Sequence, residues 1–182
     1  MKTDNQLEFK RIALFYNIKI AGVEDLVNNI LNDFNESFDE VIKVPLVLTA
    51  EGDLLTKYAR QLIKTDLIVC VGGDGTVLRL AQSVIGHEIP IFGIRMGRLG
   101  FLTESTAQEA KDKINSILNG EYYIEKRKLV QANYNEQNYF ALNDFVIGRK
   151  NLGKTASIGV WINGMPIAEY RSDAIIIASA TG

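Results

Sequence analysis

Asp66-Leu-Ile-Val-Cys-Val71 runs without a break into Gly72-Gly73-Asp74-Gly75-Thr76, and a helical pattern follows to about Ile85. The apolar run has strand length and no helical spacing, so it reads as a buried strand. Glycines 72, 73 and 75 at its carboxyl end describe a loop able to close on a phosphate. Glycine permits close backbone approach, and the first helical turn offers unpaired N–H groups and a positive dipole end. The plainer alternative is a tight turn in which Asp74 or Thr76 caps the helix. It is not a Walker loop, because no Gly-Lys-Ser or Gly-Lys-Thr follows, and it is not Gly-x-Gly-x-x-Gly. Asp74 decides the chemistry. A carboxylate aimed at phosphates is repelled unless it takes a proton from an attacking hydroxyl or helps to hold a magnesium ion. Both uses point to phosphoryl transfer. Arg79, one turn into the helix, either reaches an anionic ligand or is a solvated surface arginine.

Outward from this corner the chain alternates. Arg11–Tyr16, Glu40–Leu48 and Ile89–Ile94 read as strands, and Asp53–Lys64 and Thr106–Asn119 as helices, the last with Gly120 at its C-cap. Val23, Leu26, Val27, Ile30, Leu31 and Phe34 line one face of a further helix. Such alternation predicts a Rossmann-like α/β domain over residues 1–120 with a mostly parallel sheet. From residue 121 to 182 the period changes. Tyr122–Ile124, Leu129–Tyr134, Tyr139–Ile147, Ser157–Ile162 and Ile167–Tyr170 are short, aromatic and β-branched, and Asn135-Glu136 and Asn163-Gly164 read as hairpin turns. The second domain is therefore expected to be all-β and antiparallel.

Twenty Lys and Arg against 22 Asp and Glu give a net charge of −2, which argues against a nucleic-acid binder. Hydrophobic residues make up 47% of the chain, enough for a core, yet no apolar run approaches the ~18 residues of a membrane span. The amino terminus lacks a signal-peptide pattern, and the single cysteine, Cys70, suits a reducing cytoplasm and reads as packing. His87 reads as a solvated loop residue and Trp161 as hairpin packing.

Gly72-Gly-Asp-Gly-Thr76, Gly93-Ile-Arg-Met-Gly-Arg-Leu-Gly-Phe-Leu102, Ala141-Leu-Asn-Asp-Phe-Val-Ile147 and Arg171-Ser-Asp through Thr181-Gly182 follow one another along the chain. In these motifs and their order the sequence resembles the NAD kinase family. The first motif alone also has relatives in diacylglycerol and sphingosine kinases, and such a lipid kinase is the alternative; an inactive nucleotide-binding fragment is another. The resemblance implies magnesium-dependent transfer of the ATP γ-phosphoryl group to the 2′-hydroxyl of the NAD adenosine ribose. It makes Asp74 the catalytic base, with Gly73 and Gly75 against the ligand and Arg79 as a nucleotide contact. Asn143 and Asp144 would bind ribose and adenine, Lys154 would lie near the nucleotide, and Arg171, Asp173 and Thr181 would complete the NAD site. It also implies a homo-oligomer, a dimer or tetramer.

The chain departs from the family pattern at Arg95, where Asn is usual and where phosphate contact is at stake, and at Ala174 and Ala180. It also stops at Ala180-Thr181-Gly182, directly after an apolar strand pattern. Family members continue further. A truncated β domain is therefore expected, with low activity in isolation and with Ile175–Ile177 lacking sheet partners.

Overall fold

The computed structural model describes residues 7–46, 48–49, 52–53, 55–150 and 155–182. The chain divides between Glu125 and Lys126 into two compact units. In chain order the first contains β1 (Arg11–Asn17), α1 (Val23–Phe34), β2 (Glu40–Leu46), β3 (Leu48–Thr49), β4 (Gly52–Asp53), α2 (Leu55–Leu62), β5 (Leu67–Gly72), α3 (Asp74–Ser83), β6 (Ile91–Arg95), β7 (Ser105–Thr106) and α4 (Ala110–Leu118).

β5 is buried at every residue because parallel neighbours flank it and helices cover both of its faces. The parallel sheet has the order β2-β1-β5-β6-β7. On one face the apolar stripe of α1 (Val23, Val27, Ile30, Phe34) and Ala110 and Ile114 of α4 pack on Ile12, Leu14, Val69, Val71 and Ile94. Strand alternation turns Phe15, Ile68 and Cys70, all fully buried, to the other face. There α3 packs against β5 and β1, and α2 against α3 and β2. At the amino end, Asp66 Oδ2 accepts the amides of Lys10 and Arg11 at 3.0 and 2.8 Å, which ties the start of β1 to β5.

The chain leaves β1 for β2 on one side and returns to β5 on the other, so strand order reverses between β1 and β5. The carboxyl ends of those strands flank the crevice in which open parallel sheets bind ligands. Gly72–Thr76 lies at that point.

Burial pushes the Cys70 thiol far above its ordinary pKa, and the Glu104 carboxylate adds to the shift. The thiolate is the reactive form. Cys70 is therefore expected to resist a thiol reagent at pH 8 in the folded chain and to react only in denaturant. Rapid labelling of native protein would contradict this packing.

Several expected boundaries shift. Thr106 is not helical: it pairs in β7, and its amide and hydroxyl both donate to the Glu109 carboxylate, so the helix begins at Ala110. Gly120, at φ 76°, closes α4 in a Schellman motif, with its own amide on Ile117 O and that of Glu121 on Ser116 O. Tyr122–Ile124 joins no ladder. Instead the Tyr122 ring packs on Phe9 at 5.4 Å and its hydroxyl donates to Leu7 O.

The second unit is built of antiparallel pairs: β8 (Val130–Tyr134) with β9 (Gln137–Ala141), β10 (Asp144–Gly148) with β13 (Ala174–Ala178), and β11 (Ala156–Ile162) with β12 (Met165–Ser172). Asn135 and Glu136 (φ 49° and 63°) and Asn163 and Gly164 (φ 51° and 79°) are all left-handed, as two-residue hairpin turns of type I′ require. The expected single strand Tyr139–Ile147 is broken at Leu142 and Asn143 into β9 and β10. That break frees β10 to pair elsewhere, and it corrects a second expectation. Ile175, Ile176 and Ile177 do have partners, opposite Ile147, Val146 and Phe145. Trp161 does not bury itself in its hairpin. Its ring lies over Gly159, where a Cβ would collide with it, and it stays 64% exposed. His87 is exposed beyond α3.

Candidate functional site

β5 ends at Gly72, whose Cα hydrogens face Thr76 of α3 so closely that a Cβ would overlap the Thr76 side chain. This contact brings the helix down onto the strand end. Gly73 is the extended N-cap, its carbonyl accepting from Thr76 and Val77 N–H at 2.8 and 3.2 Å, and its own amide donating to Thr76 Oγ1 at 3.4 Å. Asp74 is the first helical residue and Gly75 the second, exposed and with open space where a Cβ would go. First-turn amides have no partner within the helix, so those of Asp74 and Gly75 belong to an anion-binding end.

The sequence did not indicate what holds Asp74. Its Oδ2 accepts the Phe101 amide at 2.8 Å and its Oδ1 the Leu102 amide at 3.2 Å. Gly100 packs against the same carboxylate, where any Cβ would overlap it. Thus Gly97-Arg-Leu-Gly-Phe-Leu102 folds over the glycine corner, and Asp74 is fixed by two backbone donors. Each oxygen keeps a further lone pair for a ligand. Glu104 secures the far end of that segment, its carboxylate accepting the Gly93 amide at 2.8 Å and its own amide donating to Gly93 O at 3.0 Å. Phe101 itself is 92% exposed beside this corner. Nothing in the spacing of residues 97–104 gave these bonds away; the paired glycines 97 and 100 were the one visible signal. Arg79 lies further along α3 on its exposed side.

In the second unit two distant motifs meet. Asp144 stands opposite Ala178 at one end of the β10–β13 ladder, and Ser179 N–H donates to Asn143 O at 2.7 Å. The Ser179 hydroxyl donates to Leu142 O and accepts the Thr181 amide, and Arg127 donates to the Thr181 hydroxyl at 3.3 Å. Asn143, Asp144 and Thr181 therefore form one group. Within it the Asn143 Oδ1 is buried and has no hydrogen-bond partner among the described residues. An orphaned buried acceptor costs about 1–3 kcal/mol, so it marks a point where a ligand N–H or O–H would be welcome.

Asp173 lies just beyond the opposite end of that ladder, whose four residue steps span about 14 Å. Its carboxylate pairs at 3.1 Å with Arg149, a residue the motifs did not single out. Arg171 sits on β12 opposite Ser157. Within this unit, then, the expected NAD-binding residues fall into two groups. Lys154 falls outside the described residues.

Known proteins resemble the chain in sequence and in fold. Residues 53–122 match the family of the ATP-NAD kinase N-terminal domain. An NAD kinase from Caldicellulosiruptor bescii is 34% identical over 94% of this chain and 61% of its own length. One from Methanothermobacter thermautotrophicus is 37% identical over 78% of this chain and 50% of its own. The crystal structure of an NAD kinase from Archaeoglobus fulgidus in complex with ATP aligns with a TM-score of 0.70 at 23% identity, covering 92% of this chain and 60% of that one. Yeast NADH kinase complexed with NADH aligns at 0.68 and 15% identity, covering 97% of this chain and 59% of that one. These two likenesses concern the fold. The chain spans less than two thirds of each of these relatives. In sequence, then, residues 53–122 match the N-terminal domain family of ATP-NAD kinases, and the chain is similar to NAD kinases over most of its length.

Proposed function

We propose that the protein phosphorylates NAD, moving the γ-phosphoryl group of ATP to the 2′-hydroxyl of the adenosine ribose to give NADP. The observation that carries this reading is the fixed Asp74 carboxylate on the first turn of α3, at the reversal of strand order. Its two backbone donors orient it, and its remaining lone pairs can take the proton of an attacking hydroxyl. The amides at the helix start offer donors to the charge that develops on the transferred group. Sequence relatives named NAD kinase supply the acceptor, and the matched ATP-NAD kinase family supplies the donor.

Gly73 and Gly75 would lie along the nucleotide and Arg79 would contact it, while Asn143, Asp144, Thr181, Arg171, Asp173 and Lys154 would bind NAD. The orphaned Asn143 Oδ1 supports its part in that assignment. Among the described residues no group of three or more His, Cys, Asp or Glu could cage a metal. Magnesium is commonly held in large part by substrate phosphates and waters, so an ion that arrives with ATP needs no protein cage of that kind. When bound, the ion neutralises phosphate charge. Among the described residues no helix is long and apolar enough to cross a membrane. A cytoplasmic site of action and a homo-oligomeric state complete the proposal.

The test is incubation with ATP, magnesium and NAD, with product read by an NADP-specific dehydrogenase. NADP that depends on both nucleotides is expected. NAD binding by calorimetry without any NADP would replace the kinase with a nucleotide-binding module, and absence of both would sink the reading.

A further inference from the structure

We infer that Arg95 is the cation of the phosphate-donor subsite, holding the oligophosphate chain of the donor beside the glycine corner. This rests on the kinase reading for the identity of the donor, though not for the anion chemistry. Arg95 is the last residue of β6 and stands in register with Gly72 at the end of β5. The next amide, of Met96, donates to Gly72 O at 3.1 Å, so the two strand ends are tied together. Register neighbours in a sheet share a face. Gly72 turns its α-hydrogens toward Thr76 of α3, and the Arg95 side chain therefore leaves the sheet on the face that carries α3 and Asp74.

The charge balance there calls for a cation. Asp74 brings a negative charge to a site meant for phosphates, and the glycine motif includes no lysine of the Walker kind. Arg95 is partly exposed and in register with Thr106 on its other side. The nearby Glu109 carboxyl is held below its ordinary range, first by the Thr106 hydroxyl and amide, with the Arg95 charge among the lesser causes. Glu109 accepts from Thr106 at 2.7 and 3.0 Å and forms no ion pair with Arg95 among the described residues, so the guanidinium fork is open to a ligand. Planar bidentate donors match phosphate oxygens well, and arginine cannot lose its charge at any working pH.

The test compares the unmodified chain with Arg95→Ala and Arg95→Lys. Calorimetry would use magnesium-ATP, inorganic tripolyphosphate and NAD as separate probes, beside KM values for ATP and NAD. Arg95→Ala should weaken ATP and tripolyphosphate by about tenfold or more and leave NAD within about twofold. Arg95→Lys should recover part of the loss, since it restores charge without the fork. If Arg95→Ala leaves ATP and tripolyphosphate binding unchanged, or weakens NAD as much as ATP, the inference fails while the kinase reading stands. If no NADP forms but tripolyphosphate binds in an Arg95-dependent way, the kinase reading fails and the anion subsite stands. Binding of neither ATP nor tripolyphosphate by the unmodified chain would overturn both.

Discussion

Asp74→Asn should lower NADP formation by about 10²–10⁴-fold, the range a lost general base removes, while nucleotide binding and the fold persist. The substitution keeps the size of the side chain, so the packing of Gly100 against it survives. It changes the hydrogen bonding. The carboxylate accepts from both Phe101 and Leu102. The amide of Asn has one oxygen and one NH₂, so it can satisfy one of those donors and must face the other with a donor of its own. A modest loss of stability, about 0.5–1.5 kcal/mol, is expected from that bond. The two consequences separate in the data. Loss of the base lowers kcat with little change in KM, whereas a loosened segment 97–102 would also raise KM. Undiminished NADP formation in Asp74→Asn would remove Asp74 from the chemistry.

The α/β unit was legible in the sequence because its signals are local. An apolar run that ends in glycines and passes into a helix describes itself, and the six apolar positions of α1 fall on the face that is packed. The two hairpin turns were equally legible, since Asn135-Glu136 and Asn163-Gly164 must adopt positive φ for a two-residue loop to close. What escaped were pairings between residues far apart in the chain. β10 and β13 meet across 25 or more intervening positions, and no periodicity in either strand specifies the partner. Breaking the expected strand at Leu142 and Asn143 was likewise invisible, because the turn is stabilised by Ser179 and not by its own residues. The same holds at the candidate site. Asp74 was visible as a chemical type, whereas its tethers are backbone amides of Phe101 and Leu102, and every residue but proline has one.

Gly100→Ala tests whether that tether matters, and it should do so without removing any functional group. Gly100 is not among the residues with positive φ, so alanine meets no backbone strain there. The new methyl group would overlap the Asp74 carboxylate, and the three nearest atoms to it all belong to that carboxylate. Either Asp74 swings away or segment 97–102 lifts, and both movements break the bonds to Phe101 and Leu102. Overpacking of this kind costs about 1–3 kcal/mol, and a displacement near 1 Å at a reacting group can cost about 10²-fold in rate. The decisive measurement is a double-mutant cycle by denaturant unfolding. In an Asp74→Ala background the obstructing carboxylate is gone, so adding Gly100→Ala should cost far less than it does alone. Coupling of this size between two contacting residues is ordinary, whereas independent sites add within a few tenths of a kcal/mol. Equal costs in both backgrounds would mean that Gly100 is needed for some other reason. The Asp74 carboxylate would then not be seated against residues 100–102 in solution, and its role as an oriented base would lose its structural support.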